Sequence, residues 1–370
     1  MAKLGEYVNI KTGKLDANAS SENGKYPFFT CAIEPLRIDT YSYDCECVLV
    51  AGNGDLNVKY YSGKFDAYQR TYIIESCDKS KLYVPYMYYF LDKYVETLRK
   101  LSIGGVIKYI KLGNLTDAEI PIPELSIQKK IVFNLDKVTH TIDTCNAILE
   151  KLDLLVKSRF VEMFGDTEVN SNNHPIHKLS DLCTVSSSKR IYQEEQSSSG
   201  VPFLRISNLV ELIDNDKFGS ELFIPEEKYN ELLENGLVPK PDDILVTSRG
   251  TLGKCYIIQK HDKFYFQDGM ISWLYDIDKS ITPLYLTLLF DTRNIKRQIE
   301  NLQSGSTVAY LSIAMLKKLN IVVPPLALQE QFAAFVEQTD KSKLAVKQVL
   351  EKAETLKKAL MQEYFGQEKL

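Results

Sequence analysis

Three short stretches in the second half of the chain carry side chains suited to reading hydrogen-bond patterns. Thr247-Ser248-Arg249-Gly250-Thr251-Leu252-Gly253-Lys254 follows an apolar run and sets hydroxyls, a guanidinium and an ammonium on a glycine-bearing turn. Arg205-Ile-Ser207-Asn208 and Ser304-Gly-Ser306-Thr307 hold similar inventories, and Gln267 adds an amide. The first half offers Asn53, Asn57, Lys59, Tyr60, Gln69, Arg70 and Lys108. Arg and Lys can donate to both acceptors on the major-groove edge of guanine, while Asn and Gln match adenine. Taken singly, each residue reads as a solvated loop side chain. Their recurrence at matching places in the two halves makes them candidates for base recognition on double-stranded DNA.

Catalysis would need other arrangements. A phosphate-cradling Walker loop ends in Gly-Lys-Ser/Thr, and Gly250-Thr-Leu-Gly253-Lys254-Cys255 lacks both that spacing and the final hydroxyl. Gly52-Asn-Gly54 reads as a turn. His140, His174, His177 and His261 are not spaced as zinc ligands, and Cys45-x-Cys47 alone does not define a metal site. Val323-Pro-Pro-Leu326 is the nearest approach to the Asn/Asp-Pro-Pro-Tyr/Phe tetrapeptide of amino-methyltransferases. The reading is a chain that recognises rather than reacts, with no cofactor or metal of its own. A stand-alone DNA methyltransferase or nuclease, and a coiled-coil scaffold that binds only proteins, are the alternatives.

With 370 residues, 44% hydrophobic and 25% charged, the chain is long enough for two cores and reads as globular. No stretch approaches the roughly 20 apolar residues of a membrane span, and the start lacks the apolar core of a signal peptide. Seven cysteines without a CxxC pair fit reduced thiols in a cytoplasm. The net charge of −4 is awkward for a DNA binder acting alone, because phosphate contacts supply most non-specific affinity. If DNA is the ligand, partners must bring much of the positive charge.

The chain is internally doubled. Residues 98–166 reappear at 299–367 without a gap, so that Ile120-Pro-Ile-Pro-Glu-Leu-Ser-Ile-Gln128 meets Ile321-Val-Val-Pro-Pro-Leu-Ala-Leu-Gln329. Nearer the N-terminus the offset changes: Lys3-Leu4 pairs with Lys178-Leu179 at 175, Val48-Leu49-Val50 with Ile244-Leu245-Val246 at 196, and Gln69 with Gln267 at 198. The second copy therefore holds extra residues, mostly between 207 and 244. A variable head on a constant frame is the pattern expected.

The frame is helical. Ile131, Leu135, Val138, Ile142, Cys145, Leu149, Leu152 and Val156 recur at spacings of four and three, a heptad seam. The spacing predicts a helix over 126–164, about 58 Å long at 1.5 Å per residue. Phe332, Val336, Thr339, Val346, Leu350, Ala353 and Leu360 repeat the register, with Lys343 and Lys357 intruding. Val48–Val50, Tyr72–Ile74, Ile244–Val246 and Tyr256–Ile258 read as strands, Tyr83–Tyr94 and Leu284–Leu302 as helices. The expected fold is α+β: two mixed α/β heads, residues 1–119 and 167–320, joined by two long helices at 120–166 and 321–370. These form an antiparallel coiled coil with approximate two-fold symmetry.

The strand-turn Ile244-Leu-Val-Thr-Ser-Arg-Gly250, the loop Ser304-Gly-Ser-Thr307 and the doubled Pro-rich junction resemble the specificity subunit of type I restriction–modification systems. The first head departs from that pattern at Phe29-Thr-Cys-Ala32, Gly52-Asn-Gly54 and Ile103-Gly-Gly-Val106. The resemblance implies a non-catalytic DNA-binding subunit of the prokaryotic cytoplasm, with two target-recognition domains that each read half of a split, asymmetric target. It further implies a helix pair that sets the gap between the halves. Two modification subunits would bind S-adenosylmethionine and methylate adenine, and restriction subunits would use ATP and Mg to translocate and cut. By this resemblance the base-contact candidates are Asn53, Lys59, Tyr60, Gln69, Arg70 and Lys108 in the first head. In the second they are Arg205, Ser207, Asn208, Ser248, Arg249, Lys254, Gln267, Ser304, Ser306 and Thr307.

Overall fold

Strand-forming residues cluster early in each half, and a single long helix closes each. The computed structural model describes residues 1–303 and 309–366. The first half runs β1 (Ala2–Lys3), β2 (Val8–Thr12), β3 (Tyr26–Phe29), β4 (Leu36–Ile38), β5 (Tyr43–Ala51), β6 (Val58–Ala67), β7 (Thr71–Ser76), α1 (Val84–Leu101), α2 (Leu112–Thr116), β8 (Glu119–Ile120) and α3 (Leu125–Phe164). The second runs β9 (Ile176–Lys178), α4 (Leu179–Leu182), β10 (Thr184–Ser187), β11 (Val201–Leu204), α5 (Ile206–Asn215), β12 (Phe223–Ile224), α6 (Glu226–Glu234), β13 (Ile244–Thr247), β14 (Cys255–Ile257), β15 (Tyr265–Phe266), β16 (Ile271–Tyr275), α7 (Pro283–Phe290), α8 (Arg293–Gln303), α9 (Ile313–Lys317), β17 (Asn320–Val322) and α10 (Leu326–Phe365). Two compact units result, Met1–Leu149 with Ala345–Leu370, and Glu150–Leu344, so each long helix contributes to both.

In the first unit a six-stranded sheet has the order β2-β7-β5-β6-β3-β4, antiparallel except where β3 meets β6. The two-residue period of a strand sorts its side chains between faces. Val48, Val50 and Ile74 face Met87, Phe90 and Leu91 of α1 in one core, while Cys47, Leu49 and Ile73 join Phe29 and Phe65 on the other side. The second unit keeps this order in two pieces, β10-β16-β13-β14 and β15-β11-β12. The place of the ten-residue β6 is taken by β14 and β15, parted by residues 258–264.

The extra residues of the second copy are two helices. Opposite Tyr26 stands Ile38, and opposite Val201 stands Ile224, so the offset grows from 175 to 186 across the segment holding α5. It reaches 196 across the segment holding α6. Leu209 and Leu212 of α5 cover Leu245 and Trp273, the sheet face that Phe29 and Phe65 fill in the first unit. The helix expected over Leu284–Leu302 is broken between α7 and α8. There Thr292 Oγ1 donates back to the Leu289 carbonyl at 2.6 Å, and such local bonds compete with continuation of the helix.

Each long helix is tied to its head by a buried glutamine. Gln128 donates to the carbonyls of Lys81 (2.7 Å) and Pro123 (2.8 Å) and accepts from the Tyr83 amide (2.9 Å). Gln329 does the same with Ser280 (2.9 Å), Pro324 (2.8 Å) and the Thr282 amide (2.8 Å). Tyr86 and Tyr285 add matching hydroxyl bonds to the carbonyls of Pro121 and Val322.

Within the first unit the start of α3 packs on the end of α10, Ile131, Val132 and Leu135 meeting Met361 and Phe365. Within the second, Val156, Phe160 and Phe164 of α3 meet Phe332 and Val336. The helices run antiparallel in both units. All eight seam positions of α3 are buried or half-buried. The intruding lysines are accommodated by carboxylates: Lys343 pairs with Asp153 at 2.7 Å, and Lys357 shares a groove with Asp92. Burial raises the Asp92 carboxyl, opposed by the Lys357 charge.

Candidate nucleic-acid interface

The central strand of each unit ends in a turn of the same construction. In the first, the Gly52 amide donates to Arg70 O (2.8 Å), the Ile110 amide to Gly52 O (2.9 Å), and Asn53 bridges Tyr109. In the second, the Ser248 amide donates to Met270 O (2.8 Å), the Leu311 amide to Ser248 O (2.9 Å), and Arg249 bridges Tyr310. Gly54 (φ 70°) and Gly250 (φ 65°) follow in the left-handed region, which glycine occupies at little cost. Asn53 and Arg249 therefore occupy one backbone place.

Around Asn53 the fold gathers several of the candidates. The Gly54 amide donates to Lys108 O at 2.9 Å, which with the Gly52–Arg70 bond brings Arg70 and Lys108, both exposed, to the same edge. Asn53 is half-buried, and its Oδ1 accepts from the Cys31 thiol at 2.9 Å. Lys59 is tied to Asn57 Oδ1, and burial holds its ammonium below the usual lysine pKa. Asn57 itself donates to the Cys31 carbonyl at 2.8 Å. Two candidates lie elsewhere. Tyr60 packs toward Tyr88 of α1, donates to Glu46 at 2.9 Å, and is pushed up to about 12 by burial and that carboxylate. Gln69 is bound to Asp16 at 2.8 Å.

In the second unit Arg249 is exposed and its guanidinium lies 5.0 Å from the Tyr310 ring centre, a stacking that orients the planar fork. Arg205 and Ser207 are exposed at the start of α5, where Asn208 Oδ1 accepts from the Arg205 amide at 3.0 Å. Asn208 thus closes the first helical turn. Lys254 pairs with Asp214 near the end of α5, a partner 40 residues away that no local pattern announces.

Two sequence expectations change here. Ser248 is only 1% exposed, with its hydroxyl 2.7 Å from that of Ser272 on the neighbouring strand, so it is a core contact rather than a surface reader. Gln267 does not match Gln69. Its amide donates to Leu204 O at 3.0 Å just as that of Tyr68 donates to Phe29 O at 2.9 Å, so Gln267 stands at the place of Tyr68. Ser304, Ser306 and Thr307 lie outside the described residues. The exposed apolar side chains of 103–109 were not among the sequence candidates, where Ile103–Val106 stood only as a departure from the family pattern.

Among the described residues no group of three or more His, Cys, Asp or Glu is placed to hold a metal ion, and no helix is long and apolar enough to cross a membrane.

Comparison with known proteins places this geometry. The family model for the type I restriction modification DNA specificity domain matches twice, over residues 1–154 and 174–356. The type I restriction enzyme EcoDI specificity subunit of Escherichia coli is 38% identical over 155 residues, covering 42% of this chain but 34% of its own length. A provisionally named type I restriction enzyme specificity subunit of Haemophilus influenzae is 26% identical over 349 residues, 90% of this chain and 86% of its own. The crystal structure of a type I restriction-modification S subunit from M. genitalium has the same fold, with a TM-score of 0.66 at 17% identity over 98% of this chain and 95% of that one. This chain is a member of the type I restriction–modification DNA specificity family, with the family's domain present in tandem.

Proposed function

We propose that each unit reads one half of a two-part DNA target. In the first unit the readers are Asn53, Arg70 and Lys108, with Lys59 behind them. In the second they are Arg205, Ser207 and Arg249. The supporting observation is the shared backbone place of Asn53 and Arg249: one edge built twice, bearing an adenine-type amide in one copy and a guanine-type fork in the other. The paired long helices set the spacing between the half-sites.

The chain itself performs no catalysis in this reading. Two modification subunits bring S-adenosylmethionine and methylate adenine, and restriction subunits bring ATP and Mg. Those partners also supply phosphate contacts, which reconciles a net charge of −4 with DNA binding. The test is to map methylated adenines in DNA from cells carrying this chain with its modification partner, then to exchange residues 167–320 for another head. One half of the motif should change. A change in both halves, or methyl transfer by the purified chain alone, would overturn the reading.

A further inference from the structure

Large apolar side chains scattered singly on a surface need no explanation. In the first unit they are concentrated. Between Ile103 and Tyr109, Val106 is fully exposed, Ile107 is 62% exposed, and Ile103 and Tyr109 are exposed as well. The loop is constructed rather than loose. The Ile103 amide donates to Tyr109 O at 3.0 Å and the Tyr109 amide to Ile103 O at 2.8 Å, closing a narrow ribbon through one isolated antiparallel bridge. Gly104 (φ 120°) has no room for a side chain, since a Cβ would lie 2.5 Å from Ile107 O. Backbone thus drives Val106 and Ile107 outward at the tip. The same ribbon is continuous with the reading edge, because Tyr109 bridges Asn53 and Lys108 O accepts from Gly54.

An apolar tip beside an amide, a guanidinium and an ammonium matches one feature of duplex DNA. The thymine C5-methyl is the apolar element of the major-groove edge code. We infer that Val106, supported by Ile107, makes apolar contact with the methyl group of a thymine in the half-site read by the first unit. The inference rests on the reading proposed above. It adds a specificity-determining contact that donors and acceptors cannot supply.

Val106→Ser removes both methyls and leaves only a hydroxyl in their place. Because the side chain is fully exposed, the fold is not at stake. Binding would be measured by fluorescence anisotropy for the full chain assembled with its modification partner. The probes are duplexes of the mapped target, with thymine or deoxyuridine at each A·T pair of one half-site in turn.

Loss of one buried methyl corresponds to about a fourfold change. The wild type should lose about that factor on one deoxyuridine duplex, and Val106→Ser should lose it on the thymine duplex without further loss on the deoxyuridine one. An equal effect of the variant on both duplexes, or no effect on either, overturns the inference. So does Val106-dependent fluorescence of 2-aminopurine, which would report a wedge that unstacks bases. Impaired assembly with the modification subunit at unchanged thymine dependence would assign the tip to a protein partner and overturn it equally. If the wild-type complex shows no preference for the mapped target, the two-part reading fails instead.

Discussion

Two pairs of residues measure how alike the two units are. Gln128 and Gln329 each make a three-bond clamp to two carbonyls and one amide, with distances agreeing to 0.2 Å or better. Asn53 and Arg249 share a backbone place as closely, yet one is held by a cysteine thiol and the other by a tyrosine ring. Burial accounts for the contrast. An unpaired polar group inside a core costs its full desolvation, so a clamp at 0–1% exposure admits few alternatives. A side chain at the rim meets water and can change at little cost to folding. Variation extends behind the rim where a whole element is added to a sheet face, as α5 is on Leu245 and Trp273.

The comparison can be tested from its strongest expected effects downward. Phe332 packs at 5.3 Å and 5.6 Å on Phe164 and Phe160, while Ile131, its smaller counterpart by the offset of 201, lies in the core with Met361 and Phe365. Phe332→Ala should destabilise the full chain by about 4 kcal/mol and Ile131→Ala by about 3 kcal/mol in urea unfolding. A reversed order would show that the second aromatic cluster does not anchor its helix end. Gln128→Leu and Gln329→Leu each strand two carbonyls and an amide, and each should cost about 3 kcal/mol. One silent variant would mean that the clamps are alike in geometry only.

Smaller effects probe the rim. Arg249→Ala should weaken discrimination by about 1–3 kcal/mol at one base pair of one half-site, and Asn53→Ala similarly at one base pair of the other half. Competition binding against single-substitution duplexes would read this, and a loss spread evenly over all sequences would demote either residue to a phosphate contact. The least effect is expected from Gly54→Ala and Gly250→Ala. Neither Cβ would meet an atom within 4 Å, so only the positive φ is strained, at about 1 kcal/mol each in thermal unfolding. Unequal costs would show that the two turns differ in stiffness.

Much of the frame was legible before any coordinates. The four-and-three spacing from Ile131 to Val156 marked the seam, and the observed α3 differs from the expected helix by one residue at its start. The β-branched runs Val48–Val50 and Ile244–Val246 both proved to be central strands. The break at Thr292 escaped notice because Leu284–Leu302 has continuous helical spacing and the deciding bond comes from one hydroxyl. The division of β6 into β14 and β15 left no local signal either. At the turn that ends the second central strand, Arg249 is exposed as expected while Ser248 is buried, although the two are adjacent.

That neighbouring pair shows where the boundary lies. Repetition, period and turn-forming glycines are properties of a chain along its own length, and they settled the doubling, the helices and the turns that end the central strands. Whether a hydroxyl faces water or another hydroxyl depends on which strand lies beside it. For Ser248 that strand carries Ser272, 24 residues on. Lys254 is likewise committed to Asp214 only because α5 packs across the sheet. Which polar groups stay free to meet a partner was decided by packing between distant segments.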